Sequence, residues 1–118
     1  MQLIYKIVTP DAYQAMQADG ALTRSGVDAA DGFVHFSTAA QLIETLDKHY
    51  AGHGDLVLLA VSDTACGAAL KWEVSRGGDK FPHLYDELTP PHIADVFHLN
   101  AARAGLESWL MSAQEGVS

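Results

Sequence analysis

The stretch Asp31 to Thr38, DGFVHFST, places a histidine, a serine and a threonine in a short apolar pattern that runs directly into a helical one. Alternation along a strand puts Phe33, His35 and Ser37 on one face and Val34 and Phe36 on the other. The following helix offers free N–H groups and a positive dipole end beside His35 and Ser37. An imidazole, hydroxyls and a helix N-terminus together could hold a phosphate or a sugar hydroxyl. The plainer reading is that Ser37 or Thr38 caps the helix and His35 is a satisfied, half-buried histidine.

Two further groups carry possible chemistry. In ALKWEV, Leu70, Trp72 and Val74 alternate with Lys71 and Glu73. If the charged face meets the cleft of His35, Glu73 can orient a hydroxyl or stabilise positive charge, and Lys71 can touch a ligand. If it meets solvent, both are ordinary surface charges. In FPHLY, His83 and Tyr85 can close a pocket and orient or shuttle a proton. The alternative there is a proline-fixed corner, with Phe81 and Leu84 filling the core. Six histidines raise the question of a metal, but no HExxH or paired-cysteine spacing occurs. A zinc site from His35, His83 and a third histidine has no support in spacing. No GxSxG elbow is present, and Cys66 has no evident activator.

These residues need elements to position them. Gln2 to Val8 reads as a strand buried on most of both sides. Thr9 as cap, Pro10, Asp11 and a terminating Gly20 predict a short helix. Residues 21–32 read as a loop. After the Phe33–Ser37 strand, Thr38 and Gln41 fit a capping box opening a helix to about Tyr50, with Leu42, Ile43, Leu46 and Tyr50 on one face. Asp55 to Ser62 predicts a second buried strand, DTACGA a turn and Ala69 to Val74 a strand. RGGDKFPHLYDELTPP reads as mostly irregular. His92 to Leu99 predicts another strand. A last helix runs from about Ala102 to Ala113, with Leu106, Trp109, Leu110 and Ala113 on one face and Gly105 weakening its start. The order β-α-β-α-β-β-β-α predicts an α+β fold with a largely antiparallel or mixed sheet.

The 118 residues fit one domain, and a 48% hydrophobic content is enough to close one core without staples. One cysteine excludes an internal disulfide and predicts a cytoplasmic location. The first fifteen residues show no secretory pattern, and the longest apolar run, Leu56 to Val61, is too short to span a bilayer. A net charge of -8 with scattered Lys and Arg argues against duplex nucleic acid and anionic membranes as partners. A small anionic or nucleotide ligand stays open, and a monomer is the favoured state. Neither a dinucleotide-fold nor a P-loop glycine motif occurs.

LIYKIV, DGFVHFST leading into a helix, GDLVLLAV, LKWEV and FPHLYDEL together resemble the Domain of Unknown Function 952 family over about Leu3 to Leu99. The remaining residues, 100–118, form a C-terminal helix and tail. That family looks like a compact relative of the ADP-ribosyltransferase fold, a split α+β sheet around a nucleotide cleft. The GFVHFST segment is similar to the one lining the NAD or ADP-ribose pocket in rifampin-type ADP-ribosyltransferases and RNA 2'-phosphotransferases. The resemblance implies that His35, Ser37 and Thr38 sit in that cleft. Where those enzymes carry histidine or arginine on the first strand, Tyr5 and Lys6 stand here, which makes Tyr5 a candidate ligand contact. It also implies NAD or an ADP-ribose-like nucleotide as ligand, with His35, Glu73 and His83 as catalytic candidates. Three functions follow in order of preference: a nucleotide-handling transferase, a non-catalytic small-metabolite module on the same fold, and a histidine-based metal hydrolase.

Overall fold

Strands β1 (Leu3–Val8) and β4 (Leu56–Ser62) are buried on both faces along nearly their whole length, and they pair antiparallel at the centre of a four-stranded sheet. The computed structural model describes residues 2–75 and 78–115, the last three of these by backbone alone. The sheet order is β3-β1-β4-β7, with β3 at Ser37–Thr38 and β7 at Ile93–Leu99. A second sheet has the order β2-β6-β5, from Val34–His35, Lys80–Leu84 and Leu70–Val74. Every pairing is antiparallel. The fold is α+β, as the order of elements predicted.

Alternation along β1 explains the two cores. Leu3, Tyr5 and Ile7 pack with helices α3 (Ala39–His49) and α5 (Leu106–Glu115) through Leu42, Leu46, Leu106 and Leu110. Ile4 and Val8 face Met16 of α1 (Pro10–Asp19), together with Val34, Phe36 and Leu84. Ile43 lies outside this packing, against its expected place on the buried face of α3. The caps behave as the sequence predicted. The Thr9 side chain accepts from the Ala12 N–H, and Thr38 and Gln41 exchange both bonds of a capping box.

Five local expectations change. Phe33–Ser37 is not one strand: β2 pairs with β6, β3 pairs with β1, and Phe36 carries the chain from one sheet to the other. Its N–H donates to the Pro82 carbonyl at 3.0 Å. The 21–32 stretch holds a short helix, α2 (Gly26–Asp31), too brief to show periodicity and closed by Gly32 at φ 82°. The DTACGA turn begins as a one-turn helix, α4 (Asp63–Cys66). Lys80–Leu84, expected as irregular, is the middle strand of its sheet. Pro82 is tolerated there because its missing N–H falls where β2 ends. Arg76 and Gly77 of that stretch lie outside the described residues. The last helix starts at Leu106 because Arg103 (φ 57°) and Gly105 (φ 79°) hold left-handed backbone before it. The side chain of Ala113 also lies outside the described residues. No described helix is long and apolar enough to cross a membrane.

Candidate functional site

The parting of the two sheets at Phe36 leaves a cavity of about 470 Å³. Its walls come from β1 (Tyr5 to Ile7), from His35 and Ser37, from α3 (Thr45, His49) and from Phe81 and His83 of β6. Asp31 and Val27 of α2 close one side. A smaller cavity of about 210 Å³ adjoins it and shares Lys6, Ile7, Val27 and Tyr50.

His35 is held from three directions. Its backbone N–H donates to Asp28 Oδ1 at 3.1 Å, and its ring Nδ1 lies 2.6 Å from the same oxygen. Its Nε2 lies 3.0 Å from Asp31 Oδ2. Two ionised carboxylates can both accept from this ring only when each nitrogen carries a proton. Asp28 is buried, and its other oxygen accepts from Lys6 Nζ at 2.7 Å. That ion pair fixes α2 against β1.

His83 is held differently. It stands opposite His35 in the β2–β6 register and opposite Lys71 in the β5–β6 register. Its Nδ1 lies 2.9 Å from Glu73 Oε1, which also accepts from the Tyr85 hydroxyl at 2.7 Å. The His83 side chain is 6% exposed, and its Nε2 makes no hydrogen bond among the described residues. The Tyr85 hydroxyl first, and His83 second, lower the Glu73 carboxyl below its ordinary value. The same bond to Glu73 raises the Tyr85 phenol above its own. Phe33 unites both groups, its ring centroid 4.5 Å from His35, 4.2 Å from His83 and 4.9 Å from Tyr85. The two imidazoles are 5.2 Å apart.

The three residues expected to carry catalysis therefore meet: His35 and His83 line the cavity, and Glu73 stands behind His83. Ser37 also lines the cavity, but its hydroxyl is 3.0 Å from the Thr45 hydroxyl, which donates to the Gln41 carbonyl. Thr38, not Ser37, caps α3, and its hydroxyl is spent there. Tyr5 borders the cavity, yet its ring is buried edge-on to Trp109, 5.5 Å between centroids. Burial first, and Asp95 second, raise the Tyr5 phenol. Lys71 is exposed and outside the lining; Tyr85 reaches the site through Glu73 and Phe33.

Sequence reasoning missed Asp28, Asp31 and Phe33. The usable signal was Asp31 four residues before His35, with a second carboxylate three residues earlier. Among the described residues no group of three or more His, Cys, Asp or Glu side chains is arranged to hold a metal ion.

Protein CC0527 from Caulobacter crescentus has solved structures to which this chain is similar. Its crystal structure matches with a TM-score of 0.84 at 42% identity, over 92% of this chain and 98% of that one. Its solution structure matches with a TM-score of 0.76 at 45% identity, over 85% and 86%. No curated protein matches the sequence. The model of the DUF952 family, described as a protein of unknown function, matches residues 7–96. With most of its length so matched, the chain belongs to the DUF952 family.

Proposed function

We propose that the cavity between the sheets binds a nucleotide or nucleoside-like ligand and supports group transfer at its sugar, with His83 as the proton acceptor. The observation that carries this reading is the buried His83 Nε2. Its opposite nitrogen is tied to Glu73, so in the neutral ring Nδ1 donates and Nε2 keeps an unshared lone pair, buried within a side chain that lines the cavity. The cavity volume falls within the range of about 300–1,000 Å³ usual for small-molecule sites. The two-sheet split is in keeping with the likeness to ADP-ribosyltransferases, and an NAD or ADP-ribosyl donor is the leading candidate.

In such a transfer the acceptor oxygen bonds to the sugar carbon while the bond to the leaving group breaks and its electron pair departs. The acceptor proton passes to His83 Nε2. Asp31 is the carboxylate that faces the cavity, and it suits the positive charge that develops on the sugar. Glu73 then acts as a positioning residue for His83 rather than as the group facing the sugar. Lys6, neutralised by Asp28, leaves a cation-poor site better matched to a sugar or base than to an unaccompanied polyphosphate.

Calorimetric titration with NAD, ADP-ribose and ADP tests binding, and release of the leaving group from NAD tests turnover. Binding by at least one ligand, with turnover lost in His83→Gln, is expected; no heat from any of the three at millimolar concentration would end the reading. A non-catalytic binding module draws support from His35, whose ring nitrogens are both committed to carboxylates. It predicts ligand binding without turnover.

A further inference from the structure

β5 is the outer strand of its sheet, with no described strand beyond it. Its exposed edge has a property that its neighbours lack. The Tyr85 N–H donates to the Ala69 carbonyl and the Ser75 N–H to the Asp79 carbonyl. With the observed register, residues 69, 71, 73 and 75 therefore direct their backbone groups to β6. Trp72 and Val74 must direct theirs outward, as does the Leu70 carbonyl, whereas the Leu70 N–H donates to the Gly67 carbonyl. Trp72 is 38% exposed and Val74 66%, on the sheet face away from Glu73 and His83.

We propose that two copies of this chain pair antiparallel through β5, about a two-fold axis at Trp72. In that register Trp72 meets Trp72, Leu70 meets Val74 and Lys71 meets Glu73. The outward residues are the ones a hydrogen-bonded antiparallel pair requires, so both backbone groups of Trp72, the Val74 N–H and the Leu70 carbonyl are satisfied across the axis, while the Leu70 N–H keeps its bond to the Gly67 carbonyl. Lys71 and Glu73 then form two opposite-charge pairs at the closer, non-hydrogen-bonded positions, where such pairing stabilises a sheet. Trp72 and Val74 lose exposure against their counterparts. The two three-stranded sheets become one of six strands.

Charges on an edge strand commonly guard it against association. Two charges of one sign would do so here. Opposite signs placed symmetrically about the central residue are instead matched by a second copy. The other long edge offers no such match. Its pairing shifts register between Ala60 and Val61, and self-pairing of β7 about Val96 would set Asp95 against Phe97 and Ala94 against His98. The inference stands apart from the proposed chemistry, although it brings the partner's Lys71 beside the carboxylate that holds His83.

Five residues a side form a small interface of the weak class, below about 1,200 Å². Sedimentation velocity over a concentration series that reaches the millimolar range should show reversible dimers of the wild-type chain. Lys71→Glu alone, or Glu73→Lys alone, sets like charges opposite each other and should weaken association about tenfold or more. An equimolar mixture of the two variants restores both opposite-charge pairs and should restore dimers. Wild-type chain that stays monomeric, single variants that still dimerise, or a mixture that stays apart would each overturn the proposal. If a charge reversal unfolds the chain, amide exchange on the wild type decides. The Trp72 and Val74 N–H groups should gain protection with concentration, and unchanged exchange rejects the pairing.

Discussion

The two histidines at the cavity share Phe33 and lie 5.2 Å apart, yet their surroundings divide the labour between them. His35 faces carboxylate oxygens at both nitrogens and is joined through Asp28 to Lys6 on another strand. It is a structural hub, and its polar capacity is used up in holding α2 to both sheets. His83 is the more buried of the two, yet it has one nitrogen without a partner among the described residues. A buried polar atom left unmade costs stability, of order 1–3 kcal/mol, so His83 Nε2, like the Tyr5 hydroxyl that also borders the cavity without a partner among the described residues, is a place where a ligand group would be favoured. On the proposed chemistry, number of partners, rather than proximity to the cavity, is what would separate the scaffold histidine from the proton acceptor.

That contrast can be broken most forcefully at Asp28. Asp28→Ala leaves Lys6 Nζ and the His35 ring without their buried anion, so unfolding free energy should fall by about 3–5 kcal/mol in urea titrations. A loss under 1 kcal/mol would mean that the His35 cluster is not a structural hub. His83→Gln should leave urea stability nearly unchanged but slow group transfer about 100-fold or more, with binding heat retained. Equal loss of stability in both variants would erase the distinction. Phe33→Ala removes the ring common to both sides. Because Phe33 is only half-buried, about 2 kcal/mol is expected, less than for a core phenylalanine, and the NMR signals of both imidazoles should move together.

The smallest effect is expected at Tyr85. The Glu73 carboxyl is lowered, so what its bonds contribute is present above its unfolded value and fades as pH falls through the folded value. The Tyr85 phenol is raised, so its contribution is complete below its ordinary value near 10.0 and fades as pH rises through the folded one. The Tyr85–Glu73 bond thus holds across neutral pH and is lost at both extremes. Tyr85→Phe removes the stronger of the two hydrogen bonds that lower the Glu73 carboxyl. Its carboxyl titration, followed by carbon NMR, should move back up toward 4.5 while the His83 bond keeps part of the lowering. An unmoved titration would place the tie to Glu73 elsewhere.

Reading the chain alone recovered the elements whose causes are local. Thr9 and Thr38 cap because a hydroxyl accepts an N–H two or three residues on, and β1 and β4 are strands because they are short, mostly apolar runs rich in Ile, Val and Leu. The grouping of His35, Ser37, Glu73, His83 and Tyr85 as candidates was also visible, since polar groups stand out in apolar alternation. The 26–31 helix was hidden because six residues carry no period, and the 80–84 strand because a central proline disguises it.

Residue order determined by itself where helices begin, which strands are buried twice, and which few polar side chains needed an explanation. Only the tertiary structure decided how those polar groups are spent. Asp28 meets His35 because α2 docks against a strand, and Glu73 meets His83 because β5 and β6 pair in one register. Both contacts depend on chain segments brought together across the sheet split at Phe36. Capping and periodicity act over a few residues, whereas a histidine's chemistry depends on which distant oxygen, or none, reaches each nitrogen.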